Sequence, residues 1–239
     1  MIAAIMQPYF FPYIGYFQLM SAVDTFVFFD DVQYIDRGWV NRNRILAGGA
    51  PHWLTFPVRK GSRSLNIAQR EYVLDDEVRR KILHGIRTHY ARAPAYPEIF
   101  PRIEAMFARD RANVAEFNAA SLKDVAGLLG ISCRFVASSE MPRGDVRGEE
   151  AILTICEGLG ATTYVNPIGG VELYDHERFR SRGVSLGFLR TRPHCYRQAA
   201  MEHVPFLSII DVMMHVGLAG ARQLLQAFDI VDGTEARHV

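Results

Sequence analysis

Three short apolar runs in this chain each stop at a polar or glycine-bearing loop. Residues 2–6 (IAAIM) run into Gln7 and Pro8, residues 26–29 (FVFF) into Asp30 and Asp31, and residues 162–165 (TTYV) into NPIGG at 166–170. The first two, short and apolar throughout, read as buried strands, and the third, of β-branched and aromatic residues, as a short strand. Later strand-like segments, 131–137 and 184–189, alternate with helical patterns. Alternation of that kind predicts an α/β fold, with a mostly parallel sheet and helices on both faces. Residues 51–58 (PHWLTFPV) read as a further strand, placed at an edge by the proline near each end. About six strands are expected.

The middle of the chain departs from that rhythm. Val78, Ile82, Ile86 and Tyr90 recur every four residues, and ARAPAYP at 91–97 then breaks the pattern. Ile99, Phe100, Ile103, Met106 and Phe107 make a second amphipathic helix. Val114, Phe117, Leu122, Val125 and Leu129 make a third, closed by Gly130. Three successive helices predict a helical insertion at about 77–130 within a single domain spanning 1–239. A helix through Ile152 and Cys156 should stop at Gly160. From about Pro205 the chain reads as helical through Phe228, with a frayed tail from 231.

Open α/β sheets bind ligands at the loops following their strands, and the polar residues here gather at such places. YIGY, 13–16, follows the first run. In Rossmann-like nucleotidyltransferases His-x-Gly-His stands at this point, its glycine admitting a nucleotide and its imidazoles stabilising charge on phosphate. Tyrosine can hydrogen-bond or stack but carries no positive charge near neutral pH. Nucleotide binding by Gln7, Tyr9, Tyr13, Gly15 and Tyr16 is one reading; a packed aromatic loop is the other. Asp30 and Asp31 could act as a base, as a Mg²⁺ site accompanying a nucleotide, or as a turn cap. Gln33, Arg37, Asn41, Arg42, Asn43 and Arg44 offer amides and guanidinium forks for an anionic ligand, unless the arginines brace the two acids. A basic loop, RKGSRS at 59–64, adds to these cations. Asn166, Gly169 and Gly170 permit close approach of backbone to a ligand, though no Lys-Ser/Thr follows as in a P-loop. The expected arrangement is one cavity walled by the tyrosine turn, the aspartates and the Asn/Arg segment, with Asp30, Asp31 and Tyr16 at the chemistry.

Other features argue for less. The eight histidines show no metal spacing. His194 and Cys195 are adjacent, an arrangement in which side chains rarely face each other. Asp211, inside SIIDVMM, needs a partner if buried, and Arg197 or an N-terminal arginine is the expected one. Three cysteines without a C-x-x-C pair form neither a disulfide framework nor a zinc site. The net charge of +1 leaves no nucleic-acid footprint. No signal sequence or membrane-spanning run is read, so a cytoplasmic location is expected, with room for a homodimer.

The long segments MQPYFFPYIGYFQLM, DDVQYIDRGWVNRNRI, the Y-x-x-A-P of HYARAPAYP, YVNPIGGVELYD and CYRQ…FLSIIDVMMHVG together resemble the WbqC-like family over nearly the whole chain. The resemblance implies a role in bacterial surface-polysaccharide (O-antigen) biosynthesis, because such proteins are encoded in those gene clusters. It implies no settled reaction and no catalytic residues. The expected activity is transfer of an acyl or aminoacyl group to a nucleotide-activated amino sugar. The alternatives are a nucleotidyltransferase or ATP-dependent ligase with altered His-x-Gly-His positions, or a non-catalytic nucleotide-sugar binding protein.

Overall fold

The computed structural model describes residues 1–193 and 195–233. Six strands form the main sheet: β1 (Ile2–Met6), β2 (Thr25–Phe28), β5 (Arg134–Ala137), β6 (Thr163–Pro167), β7 (Ser185–Thr191) and β8 (Phe228–Asp232). Their spatial order is β5-β2-β1-β6-β7-β8. All pairings are parallel except β7 with β8. In chain order within this sheet, that is the 3-2-1-4-5-6 arrangement of doubly wound α/β folds. The winding reverses between β1 and β6. The register aligns Met6, Phe28 and Ala137 in one row, so the residues after them leave the sheet at the same edge.

Side-chain burial explains why these runs are strands. Ala3, Ala4 and Ile5 in β1, and all of β2, are buried. Ala4, Phe26 and Phe28 join one apolar cluster with α1 (Ile14–Ser21), α2 (Asp76–Tyr90), α3 (Tyr96–Phe107), α4 (Val114–Leu129) and α7 (Ile209–Leu224). Ala3, Ile5 and Val27 join a second, under α5 (Gly148–Leu159) and α6 (His176–Ser181). Adjacent residues on one strand thus serve opposite layers. The α2–α4 insertion matches the expected region, and its helices share the first cluster with the sheet. Asp75 caps α2 by accepting from the Val78 N–H at 2.7 Å. Gly130 and Gly160 close α4 and α5, where the sequence placed the stops.

Two expectations are corrected. The Asn/Arg segment is a strand: β3 (Arg42–Ala47) pairs antiparallel with β4 (Ala50–Thr55) in a ribbon separate from the main sheet. Its period-two pattern was masked because the inward residue at 43 is an asparagine. The C-terminal helix ends at Leu224 and Phe228 opens β8, where Phe228 to Asp232 pair with β7. A strand of alternating apolar and acidic residues beside a helix was absorbed into the helical pattern. Residues 234–239 of the tail lie outside the described residues.

Candidate functional site

A cavity of about 440 Å³ opens where the winding reverses, beyond the carboxyl ends of β1 and β6. Its walls include Gln7, Tyr9, Glu149, Asn166, Gly169, Gly170 and Tyr174. Open α/β sheets place ligands at this switch point, and the volume lies within the range of small-molecule sites. Gln7 is half-buried at the end of β1, and its side-chain amide makes no hydrogen bond among the described residues. The Tyr16 hydroxyl donates to the Gln7 carbonyl at 2.7 Å from a fully buried ring, so Tyr16 braces Gln7 from behind rather than facing the cavity. The Tyr9 ring lies 5.7 Å from that of Tyr16. Burial, and then the proximity of Tyr174, raise the pKa of Tyr9, so its phenol stays a neutral donor.

The opposite wall comes from β6 and the 3₁₀ segment Ile168–Leu173. Asn166 Oδ1 accepts from the Tyr164 hydroxyl at 3.0 Å, which fixes the amide in place. A Cβ on Gly170 would overlap Asn166 Nδ2, so the amide keeps its present place only beside glycine. Glu149 accepts from the Asp175 N–H at 2.6 Å and from Arg178 at 2.9 Å, tying α5 to α6. Among the described lining residues Glu149 alone is charged. The cavity is therefore a place for neutral hydrogen-bonding groups and rings.

The acid pair stands at the neighbouring strand ends. Asp30 accepts from the Ser139 N–H at 3.0 Å, the Ser139 hydroxyl at 2.8 Å and the Ser138 hydroxyl at 3.1 Å. Asp31 accepts from the Ser138 hydroxyl and pairs with Arg143, whose Nε lies 2.9 Å away. The two carboxylates thus lock the end of β2 to the end of β5. Asp30 and Ser139 also line a separate groove of about 800 Å³ with Arg109, Arg111 and Lys123. Reading the chain linearly missed Ser138, Ser139 and Arg143, because their meaning lies in strand adjacency across more than 100 residues.

The remaining expected residues fall elsewhere. Asn43 donates to the carbonyls of Phe10 and Phe11 at 3.1 and 3.0 Å, and Asn41 to that of Phe56 at 3.0 Å. These amides satisfy the backbone of the aromatic loop and the ribbon. Arg42 lies 4.0 Å over the Trp53 ring and Arg44 5.7 Å from that of Trp39. Gln33 donates to the Arg63 carbonyl at 2.9 Å, and Arg37 is exposed on a turn with φ 59°. Neither arginine of the ribbon braces the acids; Arg143 does. Tyr13 lines a small cavity of about 240 Å³ with Thr191, Tyr196 and Phe206. Gly15 is required there, since a Cβ would lie 2.7 Å from Thr191 Oγ1. The fold brings Gln7, Tyr9, Asn166, Gly169 and Gly170 together at one cavity. It distributes the acids, Tyr13 and the Asn/Arg segment over other surfaces.

Asp211 is fully buried, as its apolar surroundings implied, but its partners are not arginines. Tyr90 and Tyr196 donate to it at 2.8 and 2.6 Å, Gln198 at 3.1 Å, and His215 Nδ1 lies 3.5 Å away. Burial pushes its pKa up, but the hydrogen bonds from His215 and the two phenols outweigh this and hold it below the usual value. Cys195 is exposed, whereas its neighbour His194 lies outside the described residues. Burial pushes the Cys156 thiol up to about 12, which leaves it unreactive.

A family model matches residues 7–223. The chain belongs to the WbqC-like protein family. This WbqC-like chain is also similar to the uncharacterized protein Rv1507c of Mycobacterium tuberculosis (strain ATCC 25618 / H37Rv). The two are 26% identical over 216 residues, covering 90% of this chain and 93% of that one. No solved structure matches. The matched span of the WbqC-like protein contains the switch-point cavity, the acid pair and the Asp211 group. No described helix is long and apolar enough to cross a membrane.

Proposed function

We propose that this WbqC-like protein is a transferase of bacterial surface-polysaccharide assembly that holds the sugar or base of a nucleotide-linked amino sugar at the switch-point cavity, with the diphosphate lying outside walls whose one charged side chain, among the described residues, is Glu149. The observation that carries the reading is the Gln7 amide, unbonded among the described residues, which lines with Asn166, Gly169 and Gly170 a cavity having one charged side chain at the reversal of a 3-2-1-4-5-6 sheet. Amides, phenols and bare backbone suit the hydroxyls of a sugar and the edge of a base. Tyr9 and Tyr174 supply ring surface. The group transferred is acyl or aminoacyl, which the amine of an amino sugar accepts without a change in oxidation state.

The test is titration of the protein with UDP-linked sugars bearing a free amine, followed by incubation with acyl donors and mass measurement of the sugar nucleotide. Saturable binding that weakens in Gln7→Ala, and a product heavier by the acyl group, support the reading. Absence of binding at about 1 mM, the weak end of ligand affinities, overturns it.

A further inference from the structure

A second cavity, of about 420 Å³, lies between the corner joining α2 to α3, the segment around residue 198, and α7. Three of the long segments that mark this sequence meet there: Y-x-x-A-P, CYRQ and SIIDVMMH. Its walls carry His89, Arg92, Arg197, Gln198 and His215, and no acidic side chain. Arg92 and Arg197 are exposed at its rim, and among the described residues neither makes an ion pair, hydrogen bond or ring contact. Arg178 and Arg182, on α6 and beside it, are by contrast held by carboxylates.

At the inner end the His215 side chain is 7% exposed. Its Nδ1 lies 2.8 Å from the Asp211 carbonyl and 3.5 Å from the Asp211 carboxylate. Its Nε2 is the other polar atom of a ring that lines the cavity, and it has no hydrogen-bond partner among the described residues. The carboxylate behind it is fixed by Tyr90, Tyr196 and Gln198. With Nδ1–H engaged by Asp211, the ring donates from Nε2 as the imidazolium, the form that a bound anion favours. Two guanidiniums and that imidazole line one space, and among the described residues no carboxylate lines it. Guanidinium forks match phosphate oxygens two at a time.

We propose that this cavity is a second ligand site, which takes the phosphate of a phosphorylated small molecule. Arg92 and Arg197 bind its oxygens, and His215 Nε2–H donates a third hydrogen bond. The site is independent of the switch-point reading and stands or falls on different residues. If both hold, the protein has one pocket for neutral groups and one for an anion, which a reaction joining two substrates can use.

The experiment uses inorganic phosphate as the probe on the full chain, with chemical shifts and calorimetry as readouts at constant ionic strength. Phosphate is expected to shift the resonances of residues around Arg197 and His215 saturably. The exposed pair change Arg92→Gln/Arg197→Gln should weaken binding by about tenfold or more without altering the fold. His215→Gln, checked for retained fold by its amide spectrum, should also weaken it. Gln7→Ala should leave phosphate binding unchanged, which separates failure here from failure at the switch point. No saturable binding, equal binding by the double variant, or acetate binding as tightly as phosphate would each overturn the proposal.

Discussion

Tyr16 donates its hydroxyl to the backbone carbonyl of Gln7 at 2.7 Å, across nine residues and from a ring that is fully buried. A residue on the first turns of α1 therefore sets where β1 ends and where the Gln7 side chain emerges. Burial raises the Tyr16 pKa well above that of a free phenol, so it remains a donor throughout the accessible pH range.

Tyr16→Phe removes that donor and leaves the Gln7 carbonyl without its partner. The expected loss is about 1–3 kcal/mol of stability, the usual effect of orphaning a buried acceptor. Urea denaturation measures it. A variant as stable as the parent would show that Gln7 is held by other means.

Gly170→Ala places a methyl group against the Asn166 amide. The amide must swing away and give up the hydrogen bond from Tyr164. Ligand affinity at the switch point should fall by about tenfold, with a stability change of roughly 1 kcal/mol. Calorimetric titration beside a melting curve separates the two effects, and unchanged affinity would remove Asn166 from the binding wall.

Asp30→Asn turns an amide N–H towards donors that the carboxylate now accepts, the Ser139 N–H and hydroxyl among them. Charge-assisted bonds of this type contribute about 1.5–3 kcal/mol each, and the substitution should destabilise the protein by an amount in that range. Equilibrium unfolding checks it. A neutral effect on stability would return Asp30 to the role of a free base.

The pair Asp211–His215 makes a pH prediction. Burial lowers the imidazole pKa, but the hydrogen bond and charge of Asp211 outweigh it and the net shift is upward. A group whose folded pKa is raised stabilises fully below its unfolded value and loses that stabilisation as pH rises through the folded value. The stability difference between the parent and His215→Gln should therefore be larger near pH 6 than near pH 9. A difference that grows with pH would mean that the imidazole is held neutral.

β1 and β2 were legible because burial on both faces leaves unbroken apolar runs, and α2 and α4 because their spacing was regular; β8, half-exposed beside a helix, was read as part of the helix. β3 was not, since Asn41 and Asn43 serve backbone carbonyls that no local pattern reveals. The same limit governs the sites. Gln7, Tyr9, Asn166, Gly169 and Gly170 could be chosen because each follows a strand, and parallel strands bring such loops to one edge. Ser138, Ser139 and Arg143 could not be assigned to Asp30 and Asp31 before it was known that β5 lies beside β2. Asp211 was recognisable as needing a partner, but two tyrosines, a glutamine and a histidine answered a need that charge alone would have given to arginine.

The central claim is that the switch-point cavity binds a nucleotide-linked amino sugar. Titration of such a compound into the ¹⁵N-labelled protein tests it most directly. Saturable shifts are expected, confined to residues around Gln7, Tyr9 and 166–174 and weakened in Gln7→Ala. Shifts centred on another surface, or none at about 1 mM ligand, would contradict it.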